Sequence, residues 1–192
     1  MAEQDPNQLV VAGTGDLYVA ALGAALPTDE DTVLTSIGYQ KLGYVTEDGL
    51  SFSWEPNVED FMAWQSRSPI RRELTGQDYT LTFQLEQWNT KNMQVAFGGG
   101  AASTISAGHY RFDFLSDADQ LGEFTVVADW KDGTKQFRLV LPRANATEGS
   151  EIQLQRSALA ILPVSFKALA PGGTTRTAYM LTDSAGFVPA GS

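Results

Sequence analysis

The sequence predicts a mainly β protein, an antiparallel sandwich or barrel with one short flanking helix. Three observations carry that prediction. Apolar residues alternate with polar ones in one segment after another, the period of half-buried strands. An Asp-Gly pair separates two such segments, the favoured signal of a tight hairpin. Only one stretch has a well-marked helix start and stop.

The strands follow in order. Leu50, Phe52 and Trp54 alternate with Ser51, Ser53 and Glu55. Tyr79, Leu81, Phe83 and Leu85 alternate with Thr80, Thr82, Gln84 and Glu86. Tyr110, Phe112 and Phe114 form a third series, and Phe124, Val126, Ala128 and Trp130 a fourth. Phe137, Leu139 and Leu141 continue after Asp132-Gly133, so strands 123–131 and 134–141 are expected to pair directly. Residues 160–168 and 177–182 supply two more strands.

Two helices are expected. Asn89 or Thr90 starts the better one, with Met93, Ala96 and Phe97 on one face and Gly98-Gly99-Gly100 as its stop. It should plug one open side of the β core. A shorter helix is expected after Pro56-Asn57, where Val58, Phe61 and Met62 have i, i+3, i+4 spacing and Asn57 can cap. Gly98 to Gly108 reads as a mobile loop, as does 171–175. Residues 1–8 read as an N-terminal arm, 23–36 as an acidic loop between two extended stretches, and 184–192 as a flexible end of one domain covering 1–192.

The chain has 192 residues, enough for one domain that buries roughly 70% of its unfolded surface. It has no cysteine, so disulfides, thiolate metal sites and thiol nucleophiles are excluded. The formal net charge is −10, the wrong sign for general nucleic-acid binding. Residues 1–40 contain no Lys or Arg, so neither a secretory signal nor a transit peptide is expected, and a cytoplasmic site of synthesis is.

Chemistry-bearing patterns are sparse. His109 is the sole histidine, at the start of a strand, which disfavours a Ser-His-Asp triad or a histidine metal site. Gly13-Thr14-Gly15 is followed by Tyr18 where a dinucleotide fingerprint requires glycine. Asp117, Asp119 and Glu123 lack the spacing of a calcium loop. Of Trp54, Trp64, Trp88 and Trp130, three fall on or beside apolar stripes, where core packing is the plain reading. No cofactor, catalytic residue or metal ligand is expected.

Segment order is more informative than any motif. Gly43-Tyr44-Val45-Thr46-Glu47-Asp48-Gly49-Leu50 leads to Phe52, Trp54 and Val58-Glu59-Asp60. Arg71-Arg72-Glu73-Leu74-Thr75 follows, then a strand ending at Leu85-Glu86, a short helix, and Ala96-Phe97-Gly98-Gly99-Gly100. Leu154-Gln155-Arg156-Ser157 precedes Leu162-Pro163-Val164 and Phe166-Lys167-Ala168. Over about residues 40 to 185 this order resembles the major tail proteins, or tail tube subunits, of long-tailed bacteriophages with non-contractile tails, especially those infecting actinobacteria.

The resemblance implies a β-sandwich with one flanking helix and no catalytic residue. It implies rings of six copies stacked into the tube through which double-stranded DNA passes without specific binding. It implies a place in the virion tail after assembly in the host cytoplasm, with tape-measure and tail-terminator proteins as further partners and no membrane. The physics agrees with such a use. A head-to-tail ring turns exposed sheet edges into pairing surfaces. A ring of six at −10 each carries about sixty negative charges, the sign expected of a conduit that must not hold DNA.

Two sets of residues are expected to serve assembly. Ser51, Ser53, Glu55, Thr80, Thr82, Gln84 and Glu86 are small, polar and net acidic, and are expected to line the lumen. Arg67, Arg71 and Arg72 cluster within six positions, and Asp29-Glu30-Asp31 has no basic residue nearby in sequence. Complementary patches of this kind are expected at a subunit or ring interface. The alternatives are a monomeric β-sandwich that binds sugar or protein on a phage or cell surface, with exposed aromatics on one face, and an acid/base hydrolase with two carboxylates in a pocket.

Overall fold

A computed structural model describes residues 8–116, 120–147, 151–173 and 176–188. Its strands are β1 (Thr14–Ala21), β2 (Gln40–Lys41), β3 (Val45–Phe61), β4 (Arg71–Leu85), β5 (Ala101–Ser106), β6 (His109–Asp113), β7 (Glu123–Asp132), β8 (Lys135–Ala146), β9 (Leu162–Ala168) and β10 (Tyr179–Thr182). One α-helix, α1 (Thr90–Ala96), lies between β4 and β5. The main sheet runs β2-β1-β7-β8-β9-β4-β3, with β10 also paired to β8, and its pairs are antiparallel. The fold is thus mainly β with one helix, as the periodicity predicts.

Alternation places two apolar surfaces on the sheet. One gathers Leu17 and Val19 of β1, Val126 and Ala128 of β7, Leu139 and Leu141 of β8, Leu81, Phe83 and Leu85 of β4, and Val164 and Phe166 of β9 into a single cluster. Residues from both halves of the sheet meet there, so the sheet curls around this core. Asn89 caps α1 by accepting the Asn92 N–H at 2.9 Å, and Val95 and Ala96 plug the core as expected. The second cluster lies on the opposite face of β1, β7 and β8. There Ala20, Val127 and Val140 are covered by Leu34 of the acidic loop and by Tyr39 just after it.

Strand β8 has to bend to serve both halves. Its Phe137–Val140 stretch pairs with β10, and its Ala144–Ala146 stretch pairs with β9. Between them a bulge sets Pro142 and Arg143 opposite Thr125 alone. Proline cannot donate to a ladder, which makes this the natural place for the break. The extra residue shifts the inward series from Leu139 and Leu141 to Ala144 and Ala146, so apolar residues stay inside.

Four sequence expectations are corrected. Residues 57–62 are not helical: Asn57 pairs with Gly76 and Val58 with Leu74 across a bulge, and the Thr75 hydroxyl donates to the Asn57 carbonyl at 3.1 Å. Strand pairing satisfies this backbone, so the helical spacing has no role. Residues 98–108 are not loop throughout: 101–106 form β5, which pairs with β6 in a separate two-stranded sheet. β-branched Thr104 and Ile105 favour a strand once a partner is present. The β7–β8 turn uses Gly133 and Thr134, because Asp132 already pairs with Lys135. Gly133 has φ +60° and Thr134 is not in the left-handed region, the pattern of a type II′ turn. Finally, only one tryptophan packs on the core. Trp130 is half-buried against it, whereas Trp54, Trp64 and Trp88 are exposed.

Trp54 shows why. It continues the inward series of Leu50 and Phe52, but β9 pairs with β4 only from Thr80 to Leu85. Beyond that point no other strand pairs with β3 or β4 among the described residues. At ~3.3 Å per residue the stretch Trp54–Phe61 and its partner strand reach about 25 Å past the body of the sheet.

Candidate assembly surfaces

The first surface is the face of the sheet opposite the core. Ser51 pairs with Thr82, Ser53 with Thr80 and Glu55 with Asp78, while β9 adds Ser165 beside Thr82 and Lys167 beside Thr80. The register therefore brings Ser51, Ser53, Glu55, Thr80 and Thr82 onto one continuous face, with Gln84 farther along it. Glu86 follows the end of β4, its N–H donating to the Tyr44 carbonyl at 3.0 Å. Lys167 is the cation that reading β3 and β4 alone could not foresee. Its ammonium lies 2.9 Å from the Asp78 carboxylate, which neutralises it.

The second surface is the projecting β3–β4 ribbon. Trp54, Val58, Met62, Trp64, Ile70 and Leu74 are exposed, and Trp64 is fully so at 101%. A two-stranded ribbon has marginal stability in water without packing. An exposed apolar surface of this extent marks an interaction site. The ribbon holds itself in shape by polar contacts. Arg72 grips Asp60 with two hydrogen bonds of 2.6 and 2.9 Å, and Ile70 N–H donates to the Phe61 carbonyl at 2.9 Å to close its end. The Arg72 hydrogen bonds hold the Asp60 carboxyl below the usual carboxylate range.

The arginines and the acidic loop thus have partners inside the chain. Arg71 lies 3.5 Å from Glu73, and Arg67 is exposed at the ribbon's end. Asp29 accepts from the Thr32 side chain and N–H, which lowers its pKa. Asp31 accepts from Gln136 at 2.8 Å. Glu30 stands beside Asp31 on the rim of a hollow that Arg138 also lines. Arg138 is the missed basic residue: 109 positions away in sequence, it donates to the Asp29 carbonyl at 2.7 Å. Only β-pairing, not local spacing, could reveal it.

His109 is exposed at the start of β6, and Asp117 and Asp119 lie outside the described residues. Among the described residues no three His, Asp or Glu side chains converge to hold a metal ion, and no helix is long and apolar enough to cross a membrane.

Comparison with curated proteins finds no match. Comparison with protein families finds one whose model, described as phage tail tube protein, matches residues 1–191. Members of this family are structural proteins of the virion tail, not enzymes, and assemble with themselves into a tube. Sheet, ribbon and family match agree, and the chain belongs to the phage tail tube protein family.

Proposed function

We propose that this chain forms rings, six copies each, that stack into the tail tube and conduct the phage genome into the host. The observation that carries this reading is the β3–β4 ribbon, whose exposed Trp54, Val58, Trp64, Ile70 and Leu74 have nothing to pack against within the chain's own sheet. A subunit built to be buried in a polymer leaves such surfaces open.

In this reading the polar face of β3, β4 and β9 lines the lumen. Hydroxyls, amides and carboxylates bring no positive charge to hold phosphates, and Lys167 is already paired to Asp78. Arg67, Arg71 and Arg72 on the ribbon, and Asp29, Glu30 and Asp31 at the acidic loop, serve subunit or ring interfaces, where charge sets register. Tape-measure and tail-terminator proteins complete the assembly, which takes place in the host cytoplasm.

The alternative is a monomeric module that binds sugar or protein. Its support is the exposed Trp54 near the stacked Phe52–Tyr79 pair, rings 5.9 Å apart, on one face of the ribbon. Gel filtration and electron microscopy of the purified chain decide between them. Rings or tubes of uniform width are expected; a stable monomer at all concentrations refutes the tube.

A further inference from the structure

The two ends of the curled sheet do not close on each other. The order stops at β2 and β1 on one side and at β3 on the other. Between them lies a groove of about 790 Å³. Leu17, Val45, Leu50 and Trp130 give it apolar walls, and Glu47 and Asp48 give it an acidic rim. Its shape is fixed by backbone: Gly43 has φ +88°, and a Cβ there would meet the Gln87 side chain at 1.6 Å. Thr46 Oγ beside the groove is buried, with no hydrogen-bond partner among the described residues.

The ribbon's end has the opposite character. Residues 61–71 read Phe-Met-Ala-Trp-Gln-Ser-Arg-Ser-Pro-Ile-Arg, with two cations and no acid. Trp64 stands fully exposed, Met62 and Ile70 are exposed beside it, and Ser66 N–H donates to the Ala63 carbonyl at 3.1 Å to shape the turn.

We propose that the ribbon's end, led by Trp64 with Arg67 beside it, seats in the β1–β3 groove of a second copy. This rests on the tube reading above. Two features select the occupant. The apolar side chains match an apolar groove large enough for an indole and its neighbours. Arg67 meets Glu47 and Asp48, so charges are complementary.

The copy's own ribbon cannot fill its groove. The ribbon leaves the groove at Leu50 and runs to Phe61, about 36 Å away at ~3.3 Å per residue. The β5–β6 hairpin is a poorer fit, because its tip is Ser106-Ala107-Gly108 and its Arg111 is paired with Asp113 at 2.9 Å. An anchor aromatic in a walled pocket with a charged rim is the usual form of an interface hot spot.

The absence of cysteine makes the contact directly testable. Ser66→Cys places one thiol on the ribbon's end, and Gln87→Cys places another in the groove wall without touching its acids or apolar floor. The two variants are mixed, allowed to polymerise and treated with a short bis-maleimide. A covalent dimer is expected, and the control mixture of Ser66→Cys with Ser103→Cys should give none. Trp64→Ala should raise the concentration needed for polymer at least tenfold with unchanged melting. Polymers without the Ser66–Gln87 link, or with equal linking in the control, overturn the proposal and leave the tube standing. A wild-type chain that never polymerises overturns the tube reading and this contact with it.

Discussion

Arg138 and Asp129 face each other directly across β7 and β8, joined by two hydrogen bonds of 2.7 Å. The arginine side chain is only 4% exposed. Burial works against its charge, but the Asp129 hydrogen bond and charge outweigh burial and its pKa is raised. Its remaining arm donates to the Asp29 carbonyl. One side chain thus ties the sheet to the acidic loop, and the loop covers the second apolar cluster.

Arg138→Ala leaves Asp129 without its partner and the loop without its anchor. Breaking a buried pair by removing one member costs about 3 kcal/mol or more. Urea unfolding should show that loss, and Arg138→Lys should recover only part of it because an ammonium cannot match the bidentate fork. A loss below ~1 kcal/mol would mean that the loop's other contacts hold it without Arg138.

The same loop carries a pH dependence at the alkaline end. Burial pushes the Tyr39 hydroxyl up to about 12, and its O–H donates to the Ala25 carbonyl at 3.2 Å. Folding favours the protonated form, so this contribution is full below the unfolded tyrosine pKa of ~10 and is lost as pH rises from there toward 12. Tyr39→Phe should cost about 1 kcal/mol at neutral pH and flatten the alkaline fall in stability. Melting temperatures from pH 8 upward, followed alongside phenolate absorbance, check both. An equal alkaline slope in Tyr39→Phe would assign it to other groups.

Strand positions were legible wherever one face is covered. Leu81, Phe83 and Leu85 announce β4 because the core reads every second residue. The α1 boundaries were legible because Asn89 and Gly98 are local signals. What failed was structure decided at a distance. Residues 57–62 satisfy helix spacing and strand pairing alike, and only the presence of 71–76 across the ribbon selects the strand. Trp54 sits on an inward series, but its exposure depends on where β9 stops. For the assembly surfaces, the polar face could be read from alternation, whereas Lys167 and Arg138 joined their patches through register alone.

The lumen assignment makes a prediction of its own. Ser53 and Thr80 are cross-strand partners on the polar face, beside Lys167. The pair Ser53→Lys, Thr80→Lys keeps the apolar face intact, so tubes should still form. Each added ammonium offers a phosphate contact, and a tube repeats it in every subunit. Genome ejection from assembled particles should slow, and raised salt should relieve the delay. Normal ejection kinetics at low salt would place this face outside the lumen.

Charge reversal on the ribbon tests the interface. Arg71 and Arg72 are exposed and pair only with Glu73 and Asp60 on the same ribbon, far from the apolar core. Arg71→Glu with Arg72→Glu sets acid against acid at both places. The cost to the subunit's fold should be small, because exposed pairs contribute up to about 1 kcal/mol each. The variant should therefore keep its circular dichroism spectrum and melt cooperatively. Assembly is another matter, since in the proposed contact the basic end of the ribbon, residues 61–72, becomes net acidic against an acidic neighbour, and like charges brought together at an interface oppose docking strongly. Polymerisation should fail in the variant and should weaken in the wild type as salt rises. Normal tubes from the variant would remove Arg71 and Arg72 from the interface. Loss of the folded spectrum would show instead that the ribbon's ion pairs hold the subunit together.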